Sequence, residues 1–166
     1  PEQASLTRLS DARLTLNSIA KGFIIDLTGE RLLQEFPASQ SCMINIGGDL
    51  RLFGSRETEV KISDPFDGAE NVTIETIKIS GNTAIATSGN YRRGFQIGDN
   101  HYSHIFDPRS GYPGDHIASS TVLAPSAADA DALATIFSVL KVEQSLALAN
   151  QLPGVECLLI EKDGSK

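Results

Sequence analysis

A chain of 166 residues with 40% hydrophobic composition is long enough to form one globular domain with its own core. The formal net charge of −7, with the basic residues scattered along the chain, argues against a nucleic-acid surface. A phosphorylated ligand would need local recognition by backbone amides, one or two cations or a divalent metal. No apolar run approaches the roughly 18 residues that a membrane-spanning helix needs.

Residues 19–36 carry the first helical pattern. Ile19, Phe23 and Leu27 follow one another at four-residue spacing, which predicts an amphipathic helix that ends before Pro37.

The entry to this helix has an unusual charge. Asn17 or Ser18 would serve as N-cap, and Lys21 falls in the first turn, where the helix dipole disfavours a cation. An anion bound at the same place would explain the lysine, because free amides at a helix N-terminus bind phosphate. A solvated lysine at a helix start is the alternative.

Residues 41–53 predict a strand, a corner at Gly47 and Gly48, and a second strand. Two glycines between Asn45 and Asp49 would let a ligand approach the backbone closely. An ordinary hairpin turn explains the same residues. Strands are also predicted at residues 59–63 and 72–79, and their weak polar alternation indicates shallower burial.

Residues 83–91 begin as a strand and end in small polar residues. Thr87, Ser88 and Gly89 would suit a loop that surrounds a ligand with hydroxyl groups and amides, although an ordinary turn has the same composition.

Residues 103–111 bring a histidine, a carboxylate and a guanidinium together. Pro108 and Gly111 indicate a turn, and the preceding residues have strand composition, which places His104 on a strand just before the corner. The segment is therefore either part of a catalytic site or a surface hairpin in which Asp107 pairs with Arg109.

Residues 117–124 predict another strand, which Pro125 ends. Ser126 as N-cap predicts a helix that reaches about Leu140. Four apolar residues of this helix are expected to be buried: Leu133, Ile136, Phe137 and Leu140. A further helix near residues 143–150 and a strand at 155–160 complete the chain.

Asp131 and Thr135 lie four residues apart on that helix, so their oxygens project from one face. A carboxylate and a hydroxyl suit a hard cation such as Mg²⁺, which keeps few protein ligands and completes its octahedron with substrate phosphates. Two small residues at a helix packing face are the alternative. Cys42 and Cys157 lie in apolar runs, which favours unpaired thiols over a disulfide.

Because hairpins outnumber βαβ units in this order of elements, the expected fold class is α+β with a mainly antiparallel sheet. The motifs NSIAKG (17–22), NIGGD (45–49), ATSG (86–89), SHIFDPRSG (103–111) and ADALAT (130–135) follow one another as in the ApbE family, and the chain resembles that family over nearly its whole length. Members are FAD:protein FMN transferases with a T-fold-like domain.

The resemblance implies an Mg²⁺-dependent enzyme that splits FAD and attaches FMN, through a phosphoester bond, to a threonine or serine of a partner redox subunit. His104 corresponds to the catalytic base. Asp131, Thr135 and a backbone carbonyl near Ser18 or Ala20 correspond to metal ligands. The implied flavin or diphosphate contacts are Thr15, Lys21, Asn45, Gly47, Gly48, Asp49, Thr87, Ser88, Gly89 and Ile105.

The sequence departs from the family pattern in two residues and in length. Thr15 and Asn90 stand where an aspartate is common. Members usually carry an additional N-terminal portion, so the chain is expected to be the C-terminal part of a longer protein. By the same resemblance, that protein is expected to be periplasmic or exported, with a lipid anchor in that portion as a further expectation. An FAD-binding module or an Mg²⁺-dependent FAD pyrophosphatase that does not transfer FMN is the alternative function.

Overall fold

A five-stranded antiparallel sheet forms the centre of the fold. The computed structural model describes residues 7–11, 13, 15–67, 71–89, 94–98 and 100–166. In chain order the elements are α1 (Ala20–Glu35), β1 (Ser41–Ile46), β2 (Asp49–Gly54), β3 (Glu57–Ser63), β4 (Thr73–Ser80), β5 (Ala84–Gly89), β6 (Gly94–Ile97), β7 (Asn100–Ser103), β8 (Ile117–Ala124), α2 (Ala127–Phe137), α3 (Val142–Ala149) and β9 (Glu156–Glu161). The central sheet has the order β1-β2-β5-β8-β9, and β3–β4 and β6–β7 form separate two-stranded sheets. The predicted α+β class with a mainly antiparallel sheet is confirmed.

The central sheet is covered on both faces. Alternate residues of β2, β5 and β8, including Phe53, Ala86 and Val122, pack with α1 and α2 on one face. Leu50 and Ile85 point to the other face, where they pack against the β3–β4 hairpin. We call these the helix face and the hairpin face. The period-2 alternation of a strand therefore decides which side chains reach each layer.

The first helix is confirmed, but its buried face differs from the one that its apolar spacing suggested. Phe23 and Leu27 are 59% and 56% exposed, whereas Gly22, Ile25 and Gly29 are buried. A Cβ atom at Gly29 would lie 2.1 Å from the ring of Phe53, so only glycine allows the helix to approach the sheet this closely. The glycines of α1 therefore mark its packing face.

The N-cap of α1 is Ile19, whose own side chain makes no cap hydrogen bond, so the prediction of Asn17 or Ser18 as N-cap is wrong. Residues 17–19 form a turn in which the N–H groups of Ile19 and Ala20 donate to the carbonyl of Leu16, at 3.1 and 2.8 Å.

The structure corrects two expectations about strand ends. Ser88 and Gly89 are not in a loop, because β5 continues through both and pairs them with Ser120 and Ser119 of β8. His104 is not on a strand, because β7 ends at Ser103, whose hydroxyl accepts a hydrogen bond from the Ile105 N–H at 3.0 Å and takes the chain out of the ladder.

The helix after β8 begins as predicted. Ser126 accepts a hydrogen bond from the Asp129 N–H at 3.1 Å. The helix ends at Phe137 rather than Leu140. Ile136 is 43% exposed, not buried, because the stripe that faces the sheet runs through Ala130, Ala134 and Phe137.

Cys42 and Cys157 are free thiols, as expected. They lie on β1 and β9, the opposite edges of the central sheet. Within the described part of the chain, no helix combines the length and apolar character needed to cross a membrane.

Candidate active site

The N-terminal halves of α1 and α2 are in close contact. A Cβ atom at Gly22 would lie 2.1 Å from the carbonyl oxygen of Ala127, so glycine is required at this crossing. The carboxylate of Asp26 on α1 accepts hydrogen bonds from the backbone N–H groups of Ala127 and Ala128, at 2.8 and 3.0 Å. These are the first two amides of α2, which lack partners inside their own helix. The start of α2 is therefore held by α1.

Asp131 makes the reverse contact from α2 to α1. Its carboxylate, which is buried, accepts a hydrogen bond from the backbone N–H of Gly22 at 3.3 Å. Gly22 is the third residue of α1, and its N–H would bond the carbonyl of Ser18 if the helix began one turn earlier. The positive end of the helix dipole thus faces a carboxylate, which is the favourable orientation.

A lysine and a second carboxylate lie beside this contact. Lys21 donates to the carboxylate of Asp49, a buried side chain at the start of β2. Burial raises the pKa of Asp49 and the negative charge of Asp131 adds to that increase, while Lys21 and the backbone N–H of Thr87 oppose it. Lys21 and Asp49 were predicted as separate ligand contacts, and in the structure they bind each other.

Thr135 extends this cluster along α2. Its hydroxyl lies 3.3 Å from that of Ser88 on β5 and also donates to the backbone carbonyl of Asp131, at 3.3 Å. The helix face of the sheet thus brings together Asp131, Thr135 and Ser88, all of which were predicted as site residues. Thr87 points to the hairpin face, where its hydroxyl lies 2.9 Å from that of Thr121.

The residues present fit a hard divalent cation. Asp49 and Asp131 are 2% and 4% exposed. Lys21 pairs with Asp49, whereas Asp131 accepts a hydrogen bond from the uncharged Gly22 N–H, so among these contacts of the described residues two buried carboxylates share one cation. No three His, Cys, Asp or Glu side chains of the described residues converge, and a cation here would take the Asp131 carboxylate, the Thr135 hydroxyl and backbone carbonyls. Such a set with few protein ligands is typical of Mg²⁺.

Ser18 is exposed in the turn before α1. Because the Gly22 N–H donates to Asp131, the carbonyl of Ser18 does not receive the helical bond that Gly22 would otherwise supply. This leaves it available as the third oxygen that the resemblance implies. Thr15, a predicted flavin contact, is also exposed ahead of α1, and Asn90 lies outside the described residues.

The corner between β1 and β2 opens into a cavity. Gly47 and Gly48 have φ values of +61° and +98°, in the left-handed region that favours glycine. The side-chain carbonyl of Asn45, a predicted ligand contact, accepts a hydrogen bond from the Gly48 N–H at 3.1 Å and thus also stabilises the corner. The cavity has a volume of about 230 Å³. It is lined by Asn45, Gly47, Gly48, Leu50, Val60, Lys61, Ile62, Ser63, Ile85, Thr87 and Gly89.

Sequence reasoning missed the contribution of β3 to this cavity. Lys61 and Ser63 come from the hairpin that covers the sheet, and no local pattern places that hairpin over the Gly47–Gly48 corner. Lys61 is exposed and brings a cation to the cavity wall. The cavity is on the hairpin face and the Asp49–Asp131 cluster is on the helix face, so the two meet around the sheet end formed by Gly48, Asp49 and Gly89.

The segment after β7 is attached to the turn that follows α2. Arg109 donates to the carbonyl of Val139 at 3.2 Å, and the ring of His116 lies 2.7 Å from the carbonyl of Leu140. The Gly114 N–H donates to the carbonyl of Ile105 at 2.8 Å, which fixes the chain next to His104. The His104 side chain is exposed, and its catalytic role stays a prediction.

The hairpin interpretation of the 103–111 segment is correct for two of its residues. Arg109 forms a double contact with the Asp107 carboxylate, at 2.9 and 2.8 Å, and its own backbone N–H also donates to Asp107 at 2.8 Å. These bonds lower the pKa of Asp107 to about 2. Asp107 and Arg109 thus stabilise the turn at residues 107–111, which follows His104.

The sequence model of the ApbE family matches residues 2–159. The chain belongs to the ApbE family. Two relatives named FAD:protein FMN transferase illustrate the similarity. That of Haemophilus influenzae is 34% identical over 168 aligned residues, covering 98% of this chain and 48% of the relative. That of Vibrio cholerae is 36% identical over 156 aligned residues, covering 91% of this chain and 46% of the relative.

Solved ApbE structures share the fold. The ApbE protein of Thermotoga maritima matches with a TM-score of 0.81 and 30% identity, over 92% of this chain and 50% of that one. The flavinyl transferase ApbE of Pseudomonas stutzeri, in its apo form, matches with a TM-score of 0.69 and 30% identity, over 92% of this chain and 47% of that one. This ApbE chain thus spans about half the length of the relatives it matches.

Proposed function

We propose that this chain takes part in the Mg²⁺-dependent transfer of FMN from FAD to a threonine or serine hydroxyl of a partner protein. The observation that carries the proposal is the pair of buried carboxylates, Asp49 and Asp131, with Lys21 where α1 meets the sheet end. The relatives' name, FAD:protein FMN transferase, supplies the substrate and the reaction.

Asp131, Thr135 and the backbone carbonyl of Ser18 would hold the metal. Asp131 offers a buried carboxylate, and Thr135 a hydroxyl on the same helix face. When bound, Mg²⁺ neutralises the charge that develops on the diphosphate of the substrate. Lys21 then has an anion to bind besides Asp49, which accounts for a cation in the first turn of a helix.

The cavity at the Gly47–Gly48 corner would hold part of FAD. Its volume of about 230 Å³ is below the range of about 300–1,000 Å³ of whole small-molecule sites, so it suits one portion of a dinucleotide. Gly48 and Gly89 have no side chain there, and Thr87 adds a hydroxyl. Ser88, on the helix face, and Ile105 stay predicted flavin contacts, and neither lines this cavity.

The proposed step is one displacement at phosphorus. The acceptor hydroxyl oxygen bonds to the phosphorus of the FMN half, and the bond from that phosphorus to the bridging oxygen breaks, which releases AMP. His104 takes the hydroxyl proton, since histidine is the usual general base near neutral pH. The exposed position of His104, three residues before the turn that Asp107 and Arg109 stabilise, suits an acceptor that arrives as part of another protein.

Transfer can be tested with the purified chain, Mg²⁺, FAD and an acceptor peptide that contains the modified threonine. We expect a peptide that is fluorescent because it carries covalently bound FMN, and one molecule of AMP released for each peptide labelled. His104→Ala should reduce labelling by at least about 100-fold, in keeping with the usual contribution of general base catalysis. Tyr112→Phe, at an exposed residue of the same segment, is the control. Full labelling by the His104→Ala variant would refute the assigned role.

The metal role is tested separately by the change of melting temperature on addition of Mg²⁺ or Mn²⁺. Asp131→Asn should remove this change, because a ligand stabilises only a folded state that binds it. Asp129→Asn changes an exposed carboxylate of the same helix and should keep it. An unaltered response in Asp131→Asn would exclude Asp131 as a ligand.

The alternative function is an FAD pyrophosphatase or an FAD-binding module. It predicts FMN and AMP in equal amounts without labelled peptide, or FAD binding without either product.

The acceptor is proposed to be an exported redox subunit, and the protein itself to be periplasmic, by resemblance to the family. Fractionation of cells that produce the parent protein tests that location, and recovery in the cytosolic fraction would contradict it.

A further inference from the structure

Asp26 connects three elements of the fold beside the candidate metal site. It belongs to α1, and its two oxygens accept the backbone N–H groups of Ala127 and Ala128, at 2.8 and 3.0 Å. The oxygen that binds Ala127 also accepts a bond from Arg51 of β2, at 2.6 Å. A single carboxylate therefore links α1 to the start of α2 and to the central sheet.

Arg51 restricts the position of this carboxylate. The side chains of Asp26 and Arg51 are each 13% exposed, and the Arg51 guanidinium lies 4.6 Å from the centre of the Phe53 ring. Phe53 is fully buried and packs against Gly29 of α1. The guanidinium thus has little freedom to follow if Asp26 moves.

The contacts of Asp26 and Asp131 form two parallel links between the same helices. Asp26 is one helical turn beyond Gly22 on α1, and Asp131 is one turn beyond Ala127 on α2. The first link runs from Asp26 to Ala127, and the second runs from Asp131 back to Gly22. Because both helices are rigid over one turn, a shift at the first link displaces the Asp131 carboxylate at the second.

We propose that Asp26, held by Arg51, is a positioning residue that sets the place of the Asp131 carboxylate and thereby the metal affinity of the site. The inference rests on the proposed metal role of Asp131. Side chains that orient metal ligands without touching the metal typically contribute 10- to 100-fold in affinity. In this site the orientation acts through a helix terminus.

The test compares Asp26→Asn with the wild-type chain in a titration with Mn²⁺, followed by the electron paramagnetic resonance of the free ion. Asparagine keeps the size of the side chain but has one acceptor oxygen, so it cannot serve Ala127, Ala128 and Arg51 together. We expect the dissociation constant for Mn²⁺ to rise by about 10- to 100-fold. Glu30→Gln, which changes an exposed carboxylate 4.0 Å from Arg51, should leave it unchanged.

A second control separates positioning from simple loss of stability. Ser126→Ala removes the other cap of α2 and leaves Asp26 in place. It should lower the melting temperature and retain the wild-type Mn²⁺ affinity. If Asp26→Asn lowers the melting temperature as Ser126→Ala does and also binds Mn²⁺ like the wild type, Asp26 is only structural and the proposal is overturned. Should Asp26→Asn fail to fold, Arg51→Lys replaces it in the test. We expect the Mn²⁺ affinity of Arg51→Lys to be about 3- to 10-fold weaker than that of the wild type. Wild-type Mn²⁺ affinity in Arg51→Lys would also overturn the proposal.

Hydrogen exchange of the Gly22 amide gives a readout without metal. If the first link positions the second, Asp26→Asn should speed this exchange about 10-fold or more, while Ser126→Ala should not. An unchanged Gly22 amide would overturn the proposal. Absence of Mn²⁺ binding by the wild-type chain would instead refute the metal site itself, and the Gly22 amide would still decide whether Asp26 positions Asp131.

Discussion

The backbone N–H of Gly22 donates to the carboxylate of Asp131 at 3.3 Å, although the two residues are 109 positions apart in the sequence. This bond supplies a cap to α1, whose own N-cap, Ile19, has no side-chain oxygen. It also places a buried carboxylate at the positive end of a helix, beside Lys21 and Asp49. The start of α1 is thus both a structural contact and one wall of the candidate site.

We predict that Gly22→Ala destabilises the protein. In an isolated helix this change would stabilise by about 1 kcal/mol. Here the new Cβ atom would lie 2.1 Å from the Ala127 carbonyl, so α1 and α2 must separate. We expect a loss of about 1–3 kcal/mol in the free energy of unfolding, measured by urea denaturation.

Gly47→Ala is the matched control for this prediction. Gly47 has φ of +61°, and a Cβ atom there would meet nothing within 4 Å, so the cost is backbone strain of about 1–2 kcal/mol without a change in helix packing. Mn²⁺ affinity should fall in Gly22→Ala and not in Gly47→Ala. A Gly22→Ala variant as stable as the wild type would contradict the close helix contact.

Lys21→Met should raise the pKa of Asp49 further. Burial already raises this pKa above 3.8, and Lys21 is the main group that opposes the increase. A carboxyl group whose folded-state pKa is raised contributes stability that is fully present below pH 3.8 and is lost as the pH rises through the folded-state value. The free energy of unfolding of the variant should therefore be closest to that of the wild type near pH 3 and should become lower than it towards pH 7.

The loss of unfolding free energy that Lys21→Met causes at pH 7 can be estimated. Breaking a fully buried ion pair costs about 3–5 kcal/mol. The Lys21 side chain is 43% exposed, so solvent screening reduces our expectation to about 1–2 kcal/mol. Urea unfolding between pH 3 and pH 7 measures it, with Lys78→Met as the control at an exposed lysine. A difference that grows towards acid pH would have the wrong sign and would refute the assignment.

Arg109→Gln should return the pKa of Asp107 from about 2 towards 3.8, because the Arg109 side chain makes the largest contribution to the lowering. A lowered carboxyl pKa stabilises the fold above pH 3.8, and this stability is lost as the pH falls through about 2. The difference in stability between the variant and the wild type should therefore disappear as the pH falls through about 2. Carboxyl ¹³C chemical shifts during a pH titration measure the value, with Arg31→Gln as the control. An Asp107 pKa that stays near its wild-type value in Arg109→Gln would show that the backbone contact alone is sufficient.

Local patterns predicted the order and type of the main elements. The Gly47–Gly48 corner, the cap at Ser126 and the strand at residues 117–124 that Pro125 ends depend on neighbours within a few positions, and the structure has a hairpin, a helix start and a strand at these places. The five motifs likewise indicate the ApbE family from the sequence alone. The spacing of Asp131 and Thr135 on one helix face was readable for the same local reason.

The same spacing rules failed where a distant partner decides the outcome. Phe23 and Leu27 have the periodicity of a buried stripe, yet α1 packs through Gly22 and Gly29, because glycines permit closer contact with α2 and Phe53. The prediction of His104 on a strand failed for a local reason instead, because β7 ends one residue earlier, where the Ser103 hydroxyl accepts the Ile105 N–H.

The sequence by itself determined the elements of this protein and the residue types of its site. Only the tertiary structure decided which of these residues bind one another. It paired Lys21 with Asp49, joined Asp26 to the start of α2, and turned Asp131 towards Gly22. The physical reason is that backbone propensity and side-chain periodicity act over one or two turns, whereas these contacts are 28 to 109 residues apart and exist only once α1 and α2 pack together on the sheet.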